Sequence, residues 1–62
     1  MRYLVWNYPK EDGTVSYEKR TEAEAIAYQR EYAKRHNFVY ENDSQALDDY
    51  ICVNWAYWVE EL

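Results

Sequence analysis

Tyr50-Ile51-Cys52-Val53-Asn54-Trp55-Ala56-Tyr57-Trp58-Val59 is the stretch whose reading decides the fold. It is dense in β-branched and aromatic residues, which suit a pleated, half-buried surface. Read as a strand, Ile51, Val53, Trp55, Tyr57 and Val59 line one face, and Tyr50, Cys52, Asn54, Ala56 and Trp58 line the other. That reading turns Trp55 and Tyr57 toward the core and Tyr50 and Trp58 away from it. The competing reading is one long helix from Gln45 to Glu61, because a short apolar run satisfies either period.

Upstream, Asn42-Asp43-Ser44 break the pattern. Asp43 or Ser44 is expected to cap a short helical turn through Gln45, Ala46, Leu47, Asp48 and Asp49. Asn37 to Glu41 reads as a short third strand. Before it lies the clearest signal in the chain. Thr21-Glu22-Ala23-Glu24 matches a capping box, with Thr21 as N-cap and Glu24 reaching back. Ala25, Ile26, Tyr28, Gln29, Tyr32, Ala33 and His36 then share one arc at 100° per residue, which predicts an amphipathic helix from Glu22 to His36. Lys34 and Arg35 complement the dipole at its end, and Asn37 suits a C-terminal cap. At the front, Arg2–Tyr8 and Thr14–Glu18 read as a hairpin closed by Pro9-Lys10-Glu11-Asp12-Gly13. The predicted fold is α+β, in the order β-β-α-β-(short α)-β, with a small antiparallel sheet packed on one amphipathic helix.

The 62 residues fit one small domain, 1–62. A chain this short buries only about 60% of its unfolded surface, so its eight Tyr and three Trp must supply much of the burial. One Cys excludes an internal disulfide framework. No apolar run approaches the roughly 18 residues of a membrane span, and the opening Met1–Trp6 runs at once into polar Asn7, unlike a secretion signal. A cytoplasmic protein with no membrane partner is expected.

The formal net charge is -5, which argues against a nucleic-acid binder working through phosphate contacts. The charge is not uniform. Residues 1–36 hold all 7 Lys and Arg and nearly balance, whereas residues 37–62 hold Glu41, Asp43, Asp48, Asp49, Glu60 and Glu61 with no base. A one-signed segment steers toward a basic surface; it also serves solubility in an aromatic-rich chain.

Catalytic, metal and cofactor motifs are missing from the sequence. His36 has no partner spacing for acid–base work and reads as a helix-end residue. Cys52 has no neighbouring cation to lower its thiol pKa and reads as a small packing or edge residue. The acids at 41, 43, 48 and 49 lack the glycine and terminal glutamate of a calcium loop and read as a solvated face.

The run Ala46–Tyr57 (Ala-Leu-Asp-Asp-Tyr-Ile-Cys-Val-Asn-Trp-Ala-Tyr) and the opening Tyr3–Tyr8 (Tyr-Leu-Val-Trp-Asn-Tyr) resemble small uncharacterised accessory proteins of tailed bacteriophages. The resemblance implies a phage-encoded protein, made in the host cell, that binds and blocks a host or anti-phage defence protein. With the residues, it leads to one expectation: a small acidic inhibitor or modulator acting by stoichiometric binding, not an enzyme. Trp6, Tyr50 and Trp58 are the expected anchors, with Glu41, Asp43, Asp48 and Asp49 steering toward a basic partner. Acids imitating a nucleic acid rank below simple inhibition, because the net charge is modest. A homodimer is expected too, since an aromatic sheet with open edges can pair with itself. The alternative is a nucleotide-binding protein, with Lys19-Arg20 and the following helix N-terminus holding a phosphate.

Overall fold

The computed structural model describes residues 1–62 throughout. The chain runs β1 (Arg2–Pro9), β2 (Val15–Arg20), α1 (Glu22–Arg35), α2 (Asp43–Asn54) and β3 (Tyr57–Glu60). The strands form one antiparallel sheet in the order β2-β1-β3. The α+β class and the antiparallel sheet are as the sequence predicts. Two elements differ from the reading above, and both differences bear on function.

The hairpin forms where expected. Gly13 takes a φ of 88°, which a side chain would strain, and its N–H donates to the Lys10 carbonyl. The Asp12 carboxylate accepts from both the hydroxyl and the amide of Thr14, and these bonds hold its pKa below the usual value. The capping box also forms. Thr21 Oγ1 accepts from the Glu24 amide at 3.2 Å, and the Glu24 carboxylate accepts from the Thr21 amide at 3.0 Å. At the far end, the Phe38 and Asn37 amides donate to the carbonyls of Ala33 and Lys34. That Schellman arrangement needs a left-handed residue, and Asn37 supplies it with φ 62°.

The first correction concerns residues 37–41, which form no strand. Both edges of β1 are already taken, by β2 and β3. The segment is held against the helices instead: Arg30 Nη1 donates to the Tyr40 carbonyl, and Tyr40 donates its hydroxyl to Asp49.

The second correction concerns the deciding stretch. Its first half is helix and its last third is strand. Asn42, rather than Asp43 or Ser44, caps α2: its Oδ1 accepts from the Gln45 amide at 2.9 Å. Along α2, Ala46, Leu47, Tyr50, Ile51 and Asn54 lie wholly or partly out of solvent, which is a helical spacing. A strand would have split Tyr50 from Ile51 across two faces; the helix puts both on the core. Trp55 then turns the chain, and β3 needs only four residues to pair with Arg2–Val5.

Alternation sorts the sheet into two faces. Arg2, Leu4, Trp6 and Tyr8 of β1 share one face with Ser16, Glu18 and Arg20 of β2 and with Trp58 and Glu60 of β3. The helices cover this face. Leu4, Ala25, Tyr50 and Ala56 form the core, with Trp6, Tyr28, Leu47 and Ile51 packed around them. Tyr3, Val5, Asn7, Val15, Tyr17, Lys19, Tyr57 and Val59 occupy the other face, which no helix covers.

Two measurements follow. Replacing Tyr50 with Ala should cost about 3–5 kcal/mol, as for other buried aromatics, and leave little folded protein by far-UV circular dichroism. The folded pKa of Glu24 is lowered, chiefly by its bond from the Thr21 amide. The cap therefore supports α1 above the ordinary carboxylate value of 4.5 and is lost as pH falls through the lower folded value. An acid titration of helicity should flatten in Glu24→Gln relative to the native chain.

Candidate functional site

Of the three expected anchors, Tyr50 is not on the surface at all. It is fully buried, one of the two largest side chains with no exposure. Its hydroxyl accepts from Arg20 Nη1 at 3.1 Å, and its ring meets the edge of Tyr28 at 5.7 Å. A phenol in a small core needs one polar partner, and Arg20 reaches it from β2. Trp6 and Trp58 lie on the helix-covered face. Trp6 packs on the core and against Tyr28, with ring centroids 6.4 Å apart. Trp58 lies beneath the Arg2 guanidinium, 4.2 Å from the ring centroid, and is 36% exposed. The three residues do not form one contact surface.

Trp55, which the strand reading turned inward, is the most exposed tryptophan, at 88%. It stands at the C-terminus of α2 with φ 54° and ψ 35°. After α1 the left-handed residue is Asn37, one past the cap His36, and asparagine tolerates that region. A bulky side chain there costs roughly 1–2 kcal/mol. The turn itself is needed: the Trp55 and Ala56 amides both donate to the Ile51 carbonyl, and Ala56 then enters the core. Glycine or asparagine would make that turn with less strain. Trp55 thus occupies a strained position and buries little of its own surface in return.

Three of the four acids, Asp43, Asp48 and Asp49, lie on α2 and Glu41 just precedes it, but they are not equivalents. Asp43 accepts from Arg30 Nη2 at 2.7 Å and from Arg30 Nε at 3.2 Å. Asp49 is half-buried and accepts from the Tyr40 hydroxyl and from Gln29 Nε2. Glu41 and Asp48 are exposed, and neither carboxylate joins an ion pair. Asp48, Asp49, Gln45, Cys52 and Tyr40 line a shallow depression on the outer side of α2. Cys52 is exposed there as a free thiol, not packed in a strand. His36 caps the end of α1 and lies 4.4 Å from the Tyr32 ring centroid. No group of three or more His, Cys, Asp or Glu side chains is placed to hold a metal ion. No helix is long and apolar enough to cross a membrane.

Lys19 and Arg20 do not converge on a phosphate site. Adjacent strand residues point to opposite faces. Lys19 goes to the uncovered face, over the Tyr3 ring and onto Glu61 at 2.7 Å. Arg20 goes to the covered face, over Tyr28 and onto Tyr50. The α1 N-terminus that would join them is filled by its own capping box.

Sequence reasoning missed Trp55 and the uncovered face. A signal for the start of α2 was present, since Asn42-x-x-Gln45 has the spacing of a capping pair. Gln45 Oε1 does accept a backbone bond, from the neighbouring Glu41 amide.

Burial and the neighbouring Asp49 carboxylate raise the pKa of Tyr40 above 10.0. Its neutral form is the one the fold favours, so its contribution is complete below that value and is lost as pH rises through the folded pKa. An ultraviolet titration should show a late tyrosine step that disappears in Tyr40→Phe. No family model matches the chain, no curated protein matches it, and no solved structure matches it.

Proposed function

We propose that this chain is a small protein-binding modulator that acts stoichiometrically, with Trp55 as its anchor and the acids of α2 as its steering charges. The observation that carries this is Trp55: 88% exposed and held at φ 54°. Strain at a position whose side chain is left almost wholly exposed points to a use outside the chain. Tryptophan is the residue type most enriched among binding hot spots. Val53, also largely exposed, precedes it by two residues and extends the apolar contact.

The chemistry of the partner follows from charge. Residues 37–62 contain no Lys or Arg, and two of their acids are paired to bases from the first half, Asp43 to Arg30 and Glu61 to Lys19. Glu41 and Asp48 keep their charge facing solvent. A basic surface on the partner fits this arrangement, with the acids speeding encounter and Trp55 slowing release. The resemblance to phage accessory proteins would make that partner a host or defence protein in the host cytoplasm and the effect inhibition.

The variant Trp55→Gly separates the structural from the functional role. Glycine relieves the left-handed strain, so the thermal midpoint should hold or rise slightly. A partner captured by the native chain should be lost, and capture by the native chain should weaken as salt is raised. A Trp55→Gly chain that captures the same partner equally well overturns the proposal.

A further inference from the structure

We infer that the uncovered sheet face is an interface between two copies of this chain. This goes beyond the partner reading above and uses a different surface. The face carries Tyr3, Tyr17 and Tyr57 with Val5, Val15 and Val59. Tyr17 is 67% exposed and Tyr57 47%. Val5 is buried, yet it belongs to no part of the helix-side core.

Size supports an interface. The chain exposes 4835 Å², against about 4,300 Å² for a compact protein of 7.6 kDa. Its radius of gyration is 12.5 Å, against about 10.6 Å for a compact chain of 62 residues. The molecule is a slab, 15 Å in its thinnest direction. The surplus of roughly 500 Å² is close to one partner's share of the smallest stable interfaces, which bury about 1,200 Å² in total. Two sheets packed face to face, about 10 Å apart, would remove that surplus and complete the core on the open side.

Charge selects the second copy as the occupant. The charged side chains of the face, Lys19 and Glu61, are already joined to each other at 2.7 Å, so its side chains present no net charge to a partner. The unneutralised acids Glu41 and Asp48 belong to the helix layer. Pairing through the sheets puts the two helix layers on the outer sides, beyond a Debye length of about 8–10 Å from each other. The repulsion of two chains of charge -5 is then small. A two-fold arrangement satisfies the face with itself, since the same tyrosines and valines stand on both sides.

Sedimentation velocity on the full chain, from micromolar to millimolar concentration, tests this. The native chain should reach a dimer mass, with little dependence on salt. Tyr17→Lys places a charge within the contact from an exposed position on the edge strand β2, and should stay monomeric at concentrations at least tenfold higher. Trp55→Gly should dimerise like the native chain, which keeps this result separate from the fate of the partner reading. If circular dichroism shows Tyr17→Lys unfolded, Val15→Glu, at the exposed start of β2, takes its place with the same expected outcome. A native chain that remains monomeric at millimolar concentration overturns the inference. So does a folded charge variant that dimerises as the native chain does.

Discussion

The burial of Tyr50 is the contact on which the rest of the molecule depends. Only eight of the 62 residues are buried, and Tyr50 and Leu4 are the largest of them with no exposure. Tyr50 ties three elements together. Its backbone belongs to α2, its ring packs on Tyr28 of α1, and its hydroxyl takes a proton donor from Arg20 of β2. Arg20 in turn lies over the Tyr28 ring at 4.2 Å, so one guanidinium serves both tyrosines. With so little core, each of these contacts carries a large share of a small stability.

That core fixes what is left outside. Tyr50 faces inward only if α2 is a helix laid over the Leu4 side of the sheet. Once it is, Trp55 falls at the helix end and must take a left-handed turn so that Ala56 can enter the core and β3 can pair with β1. The same placement leaves the Tyr3–Tyr17–Tyr57 side bare. The exposed tryptophan and the bare sheet face are therefore two consequences of one packing decision. Trp6, Tyr50 and Trp58 all belong to the helix-covered side, where Tyr50 is core and Trp6 packs against it, so no single contact surface can be drawn from them.

Polar contacts hold the connection between the helices. Gln29 is buried on α1 and donates to both Tyr40 and Asp49. Tyr40 and Asp49 close the triangle. Such a network ties the loop to both helices, and the Tyr40 hydroxyl must keep its proton to donate to Asp49. Asp49 thus serves the fold, whereas Asp48, one residue earlier, faces solvent and is free to serve a partner.

The sequence by itself determined what depends on neighbours along the chain. The hairpin follows from Asp12-Gly13, α1 from Thr21 and Glu24, and its end from Asn37, because turns and caps are bonds between residues a few positions apart. The uneven charge was equally legible, being a matter of counting. Tertiary structure decided the stretch from Tyr50 to Val59. Its β-branched and aromatic residues satisfy strand and helix alike, and local propensity cannot choose between them. The choice came from distant partners: Leu4 and Arg20 around Tyr50, and the edge of β1 left open for Tyr57–Glu60. Exposure was decided there too. Whether a tryptophan is core or surface depends on which face the helices cover, and no spacing within the chain states that.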